Sequence, residues 1–159
     1  MCFKEDLFDY QVLNLTDKFY SDYPDPPYEE ILKKNSRPYN CLSVQSHYGY
    51  FICIPYRSHI NHKQAFKFKK SIRSKRTNSG LDYSKIVIIK NSEYISTTEA
   101  IVDKDEFNET RDNIEYIKKD AQKYIDNYVD YLMGKTTKYD KREFERIIDI
   151  LHCNIFIMN

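Results

Sequence analysis

The chain is expected to fold as a single α+β domain over residues 1–159, with an antiparallel sheet in its first part and helices after it. Three observations lead there. Up to Lys90 the apolar residues alternate or stand in short β-branched runs. From Asp105 they recur at spacings of three and four, the period of a helix face. A length of 159 residues suits about one domain, and neither a repeat nor a domain boundary is evident.

Taken in order, Tyr10–Leu15 reads as a first strand. Ser21–Pro27 carries three prolines and reads as a loop, leading into a short helix over 27–34, since proline suits a helix start. Residues 39–44 and 48–54 read as two strands joined in a hairpin, with Pro55 expected to end the second. Gln64–Lys69 alternates, with Phe66 and Phe68 on one face and Lys67 and Lys69 on the other, as in a half-buried strand with a cationic wet face. Ser71–Gly80 has no hydrophobic anchors and reads as a polar loop. Lys85–Lys90 encloses Ile86-Val87-Ile88-Ile89, a strand buried on both faces. Asp105–Met133 reads as one helix with Ile114, Ile117, Ala121, Tyr124, Ile125, Tyr128 and Leu132 inward and Gly134 as its stop. Asp140 is placed to cap a last helix bearing Phe144, Ile147, Ile148 and Leu151.

Composition removes several classes of function. With three glycines and neither G-x-G-x-x-G nor a Walker lysine loop, the chain is not a glycine-loop nucleotide binder. Met1–Asp6 lacks a signal-peptide profile, and the longest apolar run, Tyr50–Tyr56, is too short to cross a bilayer. Cys2, Cys41, Cys53 and Cys153 have no C-x-x-C spacing, so reduced, buried thiols in a cytoplasmic protein are expected.

Charge is the informative property. The total is +1, yet residues 31–81 contain no acid and hold eleven cations: Lys33, Lys34, Arg37, Arg57, Lys63, Lys67, Lys69, Lys70, Arg73, Lys75 and Arg76. The remaining 108 residues hold 14 basic and 24 acidic side chains, so one segment stands near +11 against −10 for the rest. Such asymmetry marks a site for a polyanion, most often nucleic acid. Tyrosines at 20, 23, 28, 39, 48, 50 and 56 are candidates to stack unpaired bases, although half of any strand points inward.

The densest set of reactive groups, Arg57-Ser58-His59-Ile60-Asn61-His62-Lys63, follows the central strand. RNA cleavage without a metal needs a base for the 2′-hydroxyl proton, an acid for the leaving 5′-oxygen and fixed positive charge on the phosphorane. Histidine, serine, arginine and lysine suit those roles. His59 and His62 lack a third ligand and the i,i+4 spacing of helical zinc pairs, so neither a metal nor another cofactor is expected.

A further likeness rests on the order of motifs. A tyrosine-rich start, a proline loop, a basic residue before the central strand, a strand ending in proline and a polar/Ser pair, Phe66-Lys67-Phe68, a polar loop and Gly80-Leu81-x-x-Ser84-Lys85-Ile86-Val87-Ile88-Ile89 lead to two C-terminal helices. This order resembles the type III toxin–antitoxin endoribonucleases, the ToxN, AbiQ and CptN group, over roughly residues 10–150, and Arg57-Ser58-His59 suggests the CptN branch. The resemblance implies a strongly bent antiparallel sheet akin to the Kid/MazF-type toxins. It implies metal-independent, sequence-specific RNA cleavage leaving a 2′,3′-cyclic phosphate. It also implies inhibition by a repeated pseudoknot RNA that the toxin cuts from its own precursor, with protein and RNA closing into a cyclic hetero-oligomer.

Position by position, the family's lysine before the first hairpin strand falls on Arg37, its Thr-Ser pair on Arg57-Ser58, and its early tyrosine on Tyr20. Its lysine two residues past the serine falls on Ile60, a departure, with His59 and Lys63 the nearest replacements. The roles expected are Ser58 orienting the scissile phosphate, His59 as general base or acid, and Arg57 and Arg37 stabilising the phosphorane. Lys33, Lys34, Lys63, Lys67, Lys69, Lys70, Arg73, Lys75 and Arg76 would hold the antitoxin backbone. Two rivals use the same basic face: a non-catalytic RNA-binding domain, and a module that binds an acidic protein or membrane surface.

Overall fold

In the computed structural model, the residues described are 10–24, 40–45, 51–132 and 134. Among them, seven strands form a bent antiparallel sheet: β1 Tyr10–Leu15, β2 Asn40–Gln45, β3 Phe51–Arg57, β4 Ala65–Lys67, β5 Gly80–Asp82, β6 Val87–Ile89 and β7 Ile95–Glu99. The helices are α1 Asp17–Asp22, α2 Ile72–Thr77, α3 Lys104–Asp112 and α4 Ile114–Leu132. The sheet order is β4-β5-β3-β2-β1-β7, with β6 also paired to β3. The chain is thus α+β, as its apolar pattern implies. The expected helices over 27–34 and from Asp140 lie outside the described residues, as does the β2–β3 connection.

Alternation decides which residues meet on each face. Val12, Leu42, Ile52, Ile54 and Ile88 join one core with Ile117, Ala121, Tyr124, Ile125 and Tyr128 of α4. Their sequence neighbours Cys41, Cys53, Val87 and Ile89 point the other way, into a second cluster with Leu15, Phe19 and Tyr94. The sheet is therefore covered on both sides, which is why Ile86–Ile89 is apolar throughout. Each fully buried Ile or Leu contributes about 1.5–3 kcal/mol by leaving water.

Pro55 does not end β3. On one side of β3, β6 pairs Phe51–Cys53 and β5 pairs Tyr56 and Arg57. Pro55 falls where the strand changes partner, so the missing N–H interrupts neither pairing.

Residues 71–80 also depart from expectation, because α2 occupies most of them. Its anchors are polar. Ser71 caps the helix, accepting the Ser74 N–H at 2.8 Å, a contact worth about 1 kcal/mol. Asn78 closes it in the left-handed conformation, φ 49°. Ser71, Ser74 and Ser79 are buried, while Ile72, the one aliphatic residue, faces water.

The long helix is two. Asn113 breaks it, its Nδ2 donating to the Glu109 carbonyl at 2.8 Å. α4 carries the apolar stripe, and Gly134 beyond its end has φ 71°. α3 buries Glu106, Glu109 and Thr110 instead of apolar residues. Strands β5 and β7, helix α1 and two 3₁₀ turns, Tyr83–Lys85 and Ser92–Tyr94, had no evident pattern in the sequence.

Candidate nucleic-acid interface

At one end of the sheet β3, β5 and β4 form a three-stranded ribbon. Arg57 pairs with Gly80, and Gly80 with Lys67. Directly opposed residues of an antiparallel pair share a face, so Arg57, Lys67 and Asp82 lie on one side and Tyr56, Leu81 and Phe66 on the other. The apolar side joins the α4 core. The polar side receives the Ser58–Lys63 loop.

That loop is strapped down at three points. His59 N–H donates to the Thr77 carbonyl at 2.6 Å, and Ile60 N–H to that of Asn78 at 3.2 Å. Ile60, 1 % exposed, fills the space above Gly80. A Cβ on Gly80 would strike the Phe66 carbonyl oxygen, so only glycine fits there. Ile60, the departure from the motif order noted in the sequence, is thus a buried anchor. His59 beside it is exposed, in a left-handed backbone conformation with φ 58°.

Two buried carboxylates organise the arginines. Asp82, at 0 % exposure, accepts from Arg57 Nη1 at 2.7 Å and, through Oδ1, from Ser84 Oγ at 2.6 Å and Ser84 N at 3.0 Å. His62 Nε2 lies 3.2 Å from the same Oδ1 and 3.3 Å from Ser84 Oγ. His62 Nδ1 accepts the Gln64 N–H at 3.1 Å, so the proton of the neutral ring sits on Nε2, toward Asp82. His62 therefore serves the scaffold, with both ring nitrogens engaged.

The second carboxylate is Glu106 of α3, also at 0 % exposure. Its Oε1 accepts from Arg73 Nη1 at 3.0 Å and its Oε2 from Ser71 Oγ at 3.4 Å. Burial pushes the Glu106 carboxyl above its ordinary range, and the Arg73 charge opposes that rise. The other end of the same guanidinium, Nη2, donates to Ser58 Oγ at 2.7 Å. One turn on, both oxygens of Glu109 accept the Lys69 N–H, at 2.9 and 3.0 Å, tying the basic turn to α3.

The basic window is therefore free of acids in sequence but not in space. Eight of its cations are described; two carboxylates from beyond residue 81 pair with Arg57 and Arg73, and a third, Glu109, takes the Lys69 main-chain N–H, so eight positive charges stand against three negative ones. The acid-free run of the sequence therefore does not give a carboxylate-free surface once folded. Arg57 and Arg73 are held, whereas Lys63, Lys67, Lys69, Lys70, Lys75 and Arg76 are exposed and form no ion pair with a described residue. Arg73 belongs to the Ser58 network, not with the free surface lysines. Lys33, Lys34 and Arg37 lie outside the described residues.

Among the tyrosines, Tyr56 is no base platform. It is buried, its hydroxyl shares a 2.8 Å hydrogen bond with Thr110, and burial raises its pKa. Tyr20 and Tyr23 pack on Phe19, each with centroids 5.2 Å apart, against the second cluster. Alternation puts Arg57 on the same side of β3 as Cys53, a member of that cluster. Tyrosines 28, 39, 48 and 50 lie outside the described residues.

Sequence reasoning missed Asp82, Ser84, Glu106 and Glu109. Asp82 was open to discovery, since it stands two residues from Gly80 and so on the same strand face. The i,i+3 spacing of Glu106 and Glu109 likewise marks one side of a helix. Among the described residues, no helix is long and apolar enough to cross a membrane. Comparison with protein-family models, curated proteins and solved structures finds no match.

Proposed function

We propose that the protein is an RNA-cutting toxin of the type III toxin–antitoxin kind, acting without a metal ion on cytoplasmic RNA and neutralised by a repeated pseudoknot RNA within a cyclic protein–RNA assembly. One observation carries the reading. Six exposed cations free of described ion pairs accompany a strand end and loop in which buried Asp82 holds Arg57, Glu106 holds Ser58 through Arg73, and the Thr77 carbonyl holds the His59 N–H. Exposed lysines unpaired with acids suit a phosphate chain, and fixed donors beside them suit charge developing at one phosphorus. The resemblance in motif order and the bent antiparallel sheet support the same conclusion.

In this reading the 2′-oxygen attacks phosphorus and the bond to the 5′-oxygen breaks, leaving a 2′,3′-cyclic phosphate and a 5′-hydroxyl. His59, the exposed imidazole of the loop, moves a proton in that step, and Lys63 is the nearest alternative. Ser58 orients the phosphate, and Arg57 places charge beside it.

One observation favours a second reading, a non-catalytic RNA-binding domain. Arg57 is already neutralised by Asp82, and His62 has both nitrogens occupied. Expression in a bacterial host separates the two. Toxin activity arrests growth when the protein is made alone, and RNA from tandem repeats upstream of its gene restores it. His59→Asn, which keeps a residue tolerant of positive φ, abolishes the arrest. Normal growth with abundant folded protein would overturn the toxin reading.

A further inference from the structure

By charge alone Arg73 is one more cation of the basic window, but its bonds set it apart. Glu106, with no exposed surface, takes Nη1 at 3.0 Å, and Nη2 reaches Ser58 Oγ at 2.7 Å. A guanidinium held at both ends cannot swing out to follow a flexible RNA chain. Its rigid fork instead fixes the serine.

The direction of that hydrogen bond matters. Arg73 is always a donor, so Ser58 Oγ accepts. The serine's own proton must then point away from Arg73, and among the described residues no bond from it to an acceptor is found. A serine that attacks phosphorus needs the reverse arrangement, an acceptor that takes its proton. A serine that binds an anion needs a hydroxyl oxygen held by a cation and a proton left to donate, and among the described residues Ser58 has both.

We infer that Ser58 and Arg73, braced by Glu106, form a phosphodiester subsite in which Arg73 is a positioning residue and the Ser58 hydroxyl donates to a non-bridging phosphate oxygen. The inference rests on the RNA-cleavage reading above and adds to it the polarity of Ser58: a donor that forms no covalent bond to phosphorus. Lysine cannot replace Arg73, because one ammonium on a single stem does not hold Glu106 and Ser58 in the same geometry.

The test compares the full-length wild type with Ser58→Ala, Arg73→Lys and the double variant in RNA cleavage. Lysine is chosen because Arg73→Ala would leave Glu106 buried without a counter-charge. If Arg73 acts through Ser58, each single change lowers kcat by about 10- to 100-fold with KM within about threefold. The double variant is then no slower than the slower single one, within about threefold, because both remove the same donor. Losses that multiply, or a change confined to KM, would make Arg73 an independent backbone contact and overturn the inference. So would a covalent phosphoryl adduct on Ser58.

A second measurement does not depend on cleavage. Dimethyl phosphate is titrated into protein labelled with ¹⁵N-arginine. The side-chain signal of Arg73 is expected to move in the wild type and to stay still in Ser58→Ala. No movement in the wild type overturns the subsite. Movement in a protein that cuts no RNA would keep the subsite while refuting the cleavage reading, so the two failures are distinguishable.

Discussion

Asp82→Asn is the most informative single change, because stability and RNA affinity should move in opposite directions. The asparagine amide matches the carboxylate in shape, and its oxygen can still accept from Ser84. What it loses is the charge opposite Arg57 Nη1 at 2.7 Å, where an amide N–H would face a guanidinium N–H. Breaking a buried pair costs about 3–5 kcal/mol, and a hydrogen bond to a charged group about 1.5–3 kcal/mol. The Arg57 side chain is 31 % exposed, so the freed guanidinium rehydrates and the cost falls to the lower end, about 2–3 kcal/mol. For a chain of this size that lowers Tm by about 5–10 °C. The same freed cation joins the interface. Affinity for single-stranded RNA should rise, and the slope of log K against log salt should steepen by about 0.7. Urea unfolding and filter binding at several salt concentrations read the two effects. Unchanged stability would mean that the Arg57–Asp82 pair holds nothing. Lost stability with an unchanged salt slope would mean that Arg57 does not face the RNA.

Further outcomes follow from the same geometry. Gly80→Ala drives a methyl group into the Phe66 carbonyl and should destabilise by at least about 1–3 kcal/mol in denaturant melts, whereas a neutral result would refute the close packing of the ribbon. The Glu106 carboxyl titrates above its unfolded value, so its favourable contribution is complete below pH 4.5 and is lost as pH rises through the raised pKa. Measured from about pH 4 to 8, the stability of Glu106→Gln relative to wild type should therefore increase with pH; a flat difference would remove the burial argument. Replacing Lys67, Lys69 and Lys70 together by glutamine should weaken RNA binding across sequences and reduce the salt slope by about 2, and an unchanged slope would place the RNA elsewhere.

Much of the sheet was legible because its physics is local. Strand alternation in Val12–Leu15, Cys41–Val44 and Ile52–Ile54 fixes which face each side chain takes, and β-branched Val87–Ile89 announces burial on both sides. α2 escaped because its anchors are hydrogen-bonded serines, invisible to any search for apolar period. The break at Asn113 escaped for a related reason. Glu106, Glu109 and Thr110 continue a helical face, but in carboxylates and hydroxyls.

The candidate site was legible as a region and not as a network. Ser58 and His59 follow β3 directly, and Arg57 is the last residue of the strand. Ile60, His62 and Arg73 turned out to serve as anchor, brace and clamp. Counting charge along a linear window cannot register carboxylates that folding brings in from residues 82, 106 and 109.

The central claim is that the Ser58–His59 loop cuts RNA held by the exposed lysines. Purified protein incubated with end-labelled RNA in EDTA tests it most directly. Discrete products ending in a 2′,3′-cyclic phosphate and beginning with a 5′-hydroxyl are expected, and none with His59→Asn. RNA that is bound yet stays intact, or fragments bearing a 5′-phosphate, would contradict it.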